Sequence, residues 1–555
     1  MYQYDHIDQA IVDQRVVQFR DQTQRFLSGE LAPEAYQPLR LQNGLYIQRH
    51  APMLRVAVPY GTLNSQQLRK LADISRRYDR SYAHVSTRQN FQFNWPELAR
   101  VPDILEELAG VQMHAIQTSG NCIRNITTDE LAGVALGERL DPRPICEILR
   151  QWSTLHPEFA FLPRKFKIAI TANPEDRAAI LAHDVGIDLK VDTMSAGILA
   201  DVYVGGGLGR TPIIGNLLKA DLPVEHLITY LEALIRVYNQ FGRRDNKYKA
   251  RIKILVKATG LAEFAERVER AWDLLKGNPS TISAEEIERV SSHFALPDYR
   301  LSGEDEVKKK YRDRLDSDAL FSRWIERNTR EHKQEGHRIV YIPLKSHGLA
   351  PGDITADQME LVARLAEQYG YGIVRTTHQQ NMVLPDINVA SLYEVWQSLQ
   401  TEQLAQPVLN TLNDMICCPG GDFCSLANAK SIPVAEAIQA RFESFDFLYD
   451  LGPIELNISG CMNACGHHHI GHIGILGVDK KGREFFQVCL GGRQGREASV
   501  GKILGPSFEQ ERIPEIIEII LQTYIEHRAN EETFIETYDR IGIDAFKEAV
   551  YADAH

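Results

Sequence analysis

Positive charge is in short supply in this chain: 62 lysines and arginines face 74 aspartates and glutamates, leaving a net charge of −12. A nucleic-acid binder needs a basic face to neutralise phosphates, and this balance argues against one. Apolar runs long enough to span a bilayer are also missing. The opening stretch MYQYDHIDQAIVDQR is polar and acidic, without the character of a secretory or transit signal, so the expected location is the cytoplasm. There thiols stay reduced and serve as ligands rather than as disulfides. The glycine-rich GGGLG segment lacks the spacing of the dinucleotide fingerprint, and no flavin or nicotinamide module is evident. Electrons for any redox chemistry must therefore come from another protein.

Cysteine is scarce, with eight in 555 residues, yet five of the eight fall between positions 417 and 465. They form two knots: CCPGGDFC, with five residues between Cys418 and Cys424, and CMNAC, with three between Cys461 and Cys465. Four thiolates from two loops can hold zinc or an iron–sulfur cluster. The wider first knot favours a cluster, because structural zinc prefers two to four intervening residues. Glycine and asparagine around both knots let the backbone fold tightly about a cofactor. Spacing leaves Cys417 as a rival to Cys418. His467, His468, His469 and His472 follow the second knot, but a strand after a cofactor loop accounts for them without metal ligation.

The length predicts more than one core, and the composition, 44% hydrophobic and 25% charged, is that of an ordinary globular protein. Residues 1–45 read as a polar helical arm, with Ile7, Ile11, Val16, Phe19 and Phe26 at helical spacing. From Leu45 the pattern is βαββα: strand LYIQRHAPMLRVAV, helix Gln66 to Tyr78, strand–turn–strand AHVSTRQNFQFNW, and a helix near Val101. An offset of 291 residues repeats the unit. Leu63, Leu68, Leu71, Ile74 and Tyr78 fall on Ile354, Met359, Val362, Leu365 and Tyr369, and Gln89-Asn90 falls on Gln380-Asn381. VGGGLGRT and LGGRQGRE echo each other further on, at Gly205/Gly491, Gly206/Gly492, Gly209/Gly495 and Arg210/Arg496. The expected fold is α+β, a duplicated two-part module with pseudo-two-fold symmetry and a cofactor between its halves.

Four cations stand in apolar stretches read as strands: Arg55 in MLRVAV, Arg124 in GNCIRNITT, and Lys165 and Lys167 in LPRKFKIAI. Alternation puts both lysines on one face. Cations leaving interior strands of an acidic protein are explained if they converge on a buried anion. Another basic segment, Arg243 to Lys253, offers charge for a polycarboxylate cofactor.

These motifs together resemble the sirohaem-dependent sulfite and nitrite reductases, above all the haemoprotein subunit of assimilatory sulfite reductase, over about residues 40 to 505. The resemblance implies a ferredoxin-like half-unit before each sirohaem-domain half. The segments would be an arm (1–45), half-unit 1 (46–115), sirohaem domain 1 (116–283), a charged linker (284–335), half-unit 2 (336–405), the 4Fe–4S/sirohaem domain (406–505) and a helical C-terminal segment (506–555). It implies Cys418, Cys424, Cys461 and Cys465 as ligands of a [4Fe–4S] cluster, Cys465 as the bridging thiolate to sirohaem, and Cys417 as an inert buried thiol. Arg55, Arg124, Lys165 and Lys167 match its anion-binding residues, and Arg88, Gln92, Arg251, Lys253 and Asn463 resemble sirohaem-contacting positions. Lys167 follows the sulfite pattern, where plant-type nitrite reductases typically carry asparagine. Met462 departs from the family's proline after the third cysteine. The implied reaction is six-electron reduction of sulfite to sulfide, with nitrite reduction as the alternative and a ferredoxin or flavoprotein subunit as donor. A non-catalytic electron carrier and a zinc scaffold remain the non-enzyme readings.

Overall fold

The computed structural model describes residues 1–299 and 304–552; within the expected linker and C-terminal segment, 300–303 and 553–555 lie outside the described residues. Its strands form four five-stranded sheets. The first contains β1 (Leu45–Ile47), β2 (Pro52–Val56), β4 (Tyr82–Val85) and β5 (Phe91–Phe93), and the third contains β11 (Thr329–Glu331), β12 (His337–Ile342), β14 (Ile373–Thr376) and β15 (Met382–Asn388). The fifth strand of each comes from the other copy. β13 (Asp353–Thr355) pairs antiparallel with β4, and β3 (Thr62–Asn64) pairs antiparallel with β14. The half-units are thus strand-exchanged, and both feed one core together with the N-terminal helix His6–Leu27. That helix buries Val12, Val16, Phe19 and Thr23, while Ile7 of the expected apolar face is exposed.

The repeat is visible in local chemistry. Helix Ser65–Tyr78 starts with a capping box between Asn64 and Gln67, and helix Ala356–Tyr369 starts with one between Thr355 and Gln358. Each box satisfies two of the backbone N–H groups a helix start leaves free. The two helices pack together, with Arg69 and Arg76 paired to Glu360 across the interface.

The second and fourth sheets follow one plan. β6 (Thr127–Thr128), β7 (Ile168–Thr171) and β8 (Val185–Val191) run parallel, β9 (Ile198–Val204) pairs antiparallel with β8, and β10 (Asn216–Pro223) pairs antiparallel with β9. β16 (Ile416–Cys417), β17 (Leu456–Ser459) and β18 (Ile473–Lys480) do likewise, followed by β19 (Arg483–Leu490) and β20 (Lys502–Ile503). Each sheet has its own core, and the helix Ile513–His527 lies within that of the fourth. Among the described residues no helix is long and apolar enough to cross a membrane.

Candidate cofactor site

Cys418 and Cys461 leave the carboxyl ends of two adjacent parallel strands, β16 and β17, where open α/β sheets place their ligands. The two cysteine loops are laced together by backbone. Cys418 N donates to Ile458 O at 3.1 Å, Asn428 N and Ala429 N donate to Gly460 O at 2.8 and 3.0 Å, and Gly460 N donates to Cys418 Sγ at 3.2 Å. Only glycine fits at 460: a Cβ there would lie 2.6 Å from both Ala429 O and Gly420 Cα. The first half-unit grips the same loops. Arg49 donates from its backbone to Phe423 O and from Nη1 to Gly421 O, Gln48 accepts from Ser425 N, and Thr87 Oγ1 donates to Cys465 O at 2.8 Å.

The thiols share one electrostatic neighbourhood. Burial pushes Cys418 up to about 12 and Cys461 up to about 11, and in each the charge of Cys465 adds to the rise. Cys424 is raised by burial as well, with Cys465 contributing. Cationic iron would offset this mutual repulsion, since metal-bound thiols must be deprotonated. Among the described residues no three His, Cys, Asp or Glu side chains converge as the ligands of one ion do. The donor set, four thiols around two glycine-laced loops with Cys465 exposed, fits a cluster that reaches a second group through its open side. Cys417 is buried in β16, its thiol 3.3 Å from Cys418 O.

The cations gather beside this cluster of thiols, but two expectations about their backbone need correction. Arg124 lies in irregular chain just before β6, and Lys165 and Lys167 occupy the extended lead-in to β7, flanking Phe166. The reason is local: Lys167 N donates to the Asp184 carboxylate at 2.9 Å, not to a neighbouring strand. Alternation survives, with Phe166 buried between the two lysines. Burial pulls Lys165 down to about 7 against the opposing charge of Cys465, with Arg124 and Arg251 adding to the fall. Burial and Lys165 hold Lys167 well below the lysine range. Neither ammonium has a protein hydrogen-bond partner among the described residues.

Arg55, on β2, donates from Nε to Gln92 Oε1 at 2.8 Å, so Gln92 aims it. Arg124 is held by the carbonyls of Thr118 and Gly120. Arg88 is buried, donates to Thr127 Oγ1 and Asn125 O, and keeps an unpartnered Nε; burial and Arg124 bring it down to about 9. Arg251 is engaged by Asp184, a fully buried carboxylate. Lys253 donates to the carbonyls of Gly207, Leu208 and Thr211, and burial lowers it to about 8. These last two therefore shape the GGGLG loop, whose Gly209 approaches Met462 O and accepts from His469 Nε2. Asn463 is exposed in the second cysteine loop and lowers Cys461 by hydrogen bonding.

The histidines precede β18 in a turn, not in the strand. His467 and His468 are buried with unpartnered ring nitrogens, and His472 Nδ1 accepts from Glu455 N. Sequence alone missed Asp184, whose partners lie 17 and 67 residues away, and Thr87, Gln48 and Arg49, whose partners lie more than 370 away, because nothing in spacing marks such pairs.

Strand register aligns the second and fourth sheets residue by residue and shows what became of the site's twin. Cys418 and Cys465 correspond to Asp129 and Arg177, which form a salt bridge at 2.7 Å. Lys167 corresponds to Glu455. The site takes thiols from the fourth sheet and free lysines from the second, whereas its twin has the Asp129–Arg177 ion pair in place of the thiols and the Glu455 carboxyl in place of Lys167.

Comparison with known proteins agrees with this architecture. The model of the nitrite and sulphite reductase 4Fe-4S domain matches residues 119–274 and 409–555, and that of the nitrite/sulfite reductase ferredoxin-like half domain matches 46–111 and 330–401. Sulfite reductase [ferredoxin] of Mycobacterium tuberculosis is 28% identical over 502 residues, covering 87% of this chain and 81% of that one. Ferredoxin--nitrite reductase of Synechococcus elongatus is 28% identical over 536 residues, covering 90% and 93%. The solved structure of the Mycobacterium tuberculosis NirA protein superposes with a TM-score of 0.75 at 26% identity, covering 92% and 90%. Fold, site and matches define an iron–sulfur oxidoreductase on a duplicated frame. The chain belongs to the nitrite and sulfite reductase family, whose cofactors are sirohaem and a [4Fe–4S] cluster.

Proposed function

We propose that this protein is a ferredoxin-dependent sulfite reductase that reduces sulfite to sulfide with six electrons. In this reading Cys418, Cys424, Cys461 and Cys465 hold the cluster, with Cys465 bridging to sirohaem. Arg55, Arg124, Lys165 and Lys167 bind the substrate, and Arg88, Gln92, Arg251, Lys253 and Asn463 border or shape the sirohaem pocket. The observation that carries it is the pair of ammonium groups on one face of the β7 lead-in, half-buried and without protein partners, with Lys165 in electrostatic reach of Cys465. Cations left unpaired by the fold call for an anionic ligand.

Sirohaem and the cluster, when bound, would relay the donor's electrons to the substrate. The chain's own residues do the rest. Arg55 and Arg124, held by Gln92 and by the Thr118 and Gly120 carbonyls, present guanidinium donors to oxyanion oxygens. Lys165, at about 7, exchanges a proton near neutral pH and can deliver one of the two protons that an oxygen needs to leave as water, the other coming from solvent. Lys167 adds positive charge, which a dianion uses more than a monoanion does. Ferredoxin as donor is supported by the relatives on both sides of the family, a sulfite reductase [ferredoxin] and a ferredoxin--nitrite reductase. Nitrite reduction is the second reading, supported by the Synechococcus relative.

Turnover of sulfite and of nitrite with reduced ferredoxin separates them. Replacing Lys167→Asn should lower kcat/KM for sulfite by at least about tenfold more than for nitrite, the value of one charge-assisted contact of roughly 1.4 kcal/mol. Equal losses on the two substrates would remove the basis for choosing sulfite.

A further inference from the structure

The repeated Gln-Asn pair staples each half-unit to the sheet that follows it, but only one copy reaches a cysteine loop. Both glutamines sit at positive φ, 59° for Gln89 and 62° for Gln380. Gln89 Oε1 accepts from Thr128 N and its Nε2 donates to Thr128 O. Thr128 is the counterpart of Cys417. At that second position Gln380 Oε1 accepts from Cys417 N at 2.8 Å.

The rest of the Gln380 amide runs away from the cysteines into a buried chain. Its oxygen must face the Cys417 N–H, so its nitrogen is the group that meets Val85 O at 3.1 Å and His84 Nε2 at 3.0 Å. His84 Nε2 is then an acceptor, and the ring proton sits on Nδ1, which donates to Asp353 Oδ1 at 2.7 Å. Polarity is defined at each link from carboxylate to peptide. Gly352 leaves the room this needs, since a Cβ there would come within 2.9 Å of Gln380 Nε2. At the far end Asp353 lines a cavity of about 630 Å³, shared with Arg76, Tyr82 and Asp357. The chain crosses the strand exchange: His84 lies on β4 and Asp353 on β13, its paired partner.

We propose that Gln380, His84 and Asp353 are positioning residues for the iron–sulfur cluster. They hold the Cys417 amide, and through it the direction in which Cys418 presents its sulfur. Cys418 N is tied to Ile458 O on the opposite side, so the peptides before and after Cys417 are each held by their N–H. Without His84 the Gln380 amide keeps Val85 O as an acceptor and loses the second one that fixes its orientation. A flipped amide would set an NH₂ group against the Cys417 N–H and turn that peptide. This inference rests on Cys418 being a cluster ligand.

The test uses the full-length holoprotein, with cluster iron released to a chelator and the electron paramagnetic resonance spectrum of the reduced cluster as readouts. Gln380→Leu should release iron about 10- to 100-fold faster than wild type, the range seen when outer partners of metal ligands are removed, and should shift the spectrum. His84→Leu, which touches neither cysteine, should act in the same direction, and the double variant should be no faster than Gln380→Leu alone. Asn381→Leu is the control: it cuts the adjoining hydrogen bonds to Leu344 and Asp414, and should lower thermal stability without moving the spectrum. An unchanged spectrum and iron lifetime in Gln380→Leu, an equal spectral shift in Asn381→Leu, or multiplying effects in the double variant would overturn the proposal. Wild-type protein without acid-labile sulfide would overturn the ligand reading itself, whereas an intact cluster indifferent to Gln380 overturns this inference alone.

Discussion

Replacing Arg251→Ala should destabilise the second sheet's core more than any loss of cofactor contact would suggest. Arg251 donates from Nε and Nη2 to Asp184 Oδ1 at 2.8 and 2.7 Å. The Asp184 side chain is 0% exposed, and its other oxygen accepts from Lys167 N at 2.9 Å. Without the guanidinium, a buried carboxylate keeps one neutral donor. Breaking such a pair from one side costs about 3–5 kcal/mol, because the remaining charge is stranded. In a unit of this size each kcal/mol lowers the apparent Tm by about 2–4 °C, so a fall of roughly 6–20 °C is expected by calorimetry. Asp184→Asn in the Arg251→Ala background removes the stranded charge while keeping an oxygen for Lys167 N. It should recover a substantial part of the loss. A fall under about 2 °C, or no recovery with Asn, would refute the reasoning, since the ion pair would then carry no burial penalty.

Two further perturbations test other parts of the architecture. Burial raises Glu455 from its ordinary 4.5 to about 7. The folded state therefore holds this proton to higher pH than the unfolded chain does, and stability present below about 4.5 is lost as pH rises through 7. Glu455→Gln keeps an acceptor for Gln494 Nε2; it should match wild type near pH 4.5 and exceed it at pH 8 by up to roughly 3 kcal/mol, and a pH-independent difference in Tm would count against this. Gly460→Ala places a Cβ 2.6 Å from the Ala429 carbonyl and from Gly420 Cα, backbone that cannot yield without parting the two cysteine loops. Purified protein should come out depleted of iron and acid-labile sulfide, and full occupancy would show that the loops do not need this approach.

Much of this architecture can be read in the residues themselves. The 291-residue offset marks the repeated helices because an amphipathic helix must show its apolar face at fixed spacing, and the two capping boxes fall at the same offset. The two cysteine knots are recognisable from spacing, which leaves Cys417 and Cys418 as rivals, because residues that serve one site from a tight loop are near neighbours in sequence. Arg124 and the lysines were placed in strands, since apolar neighbours look alike in a strand and in the extended chain leading to one. Arg251 and Lys253 read as cofactor contacts because charge is legible in sequence, while the partner that takes it up is not.

The amino-acid sequence alone determined the duplication, the two cysteine knots and the supply of cations, since each is a local pattern written in neighbouring residues. The tertiary structure alone decided that β3 and β13 change places and that Asp184 takes Arg251. It also decided that one copy of the Gln-Asn pair touches a cysteine while the other touches Thr128. These outcomes depend on contacts between segments far apart in the chain, set by packing and by the cost of leaving buried polar groups unpaired.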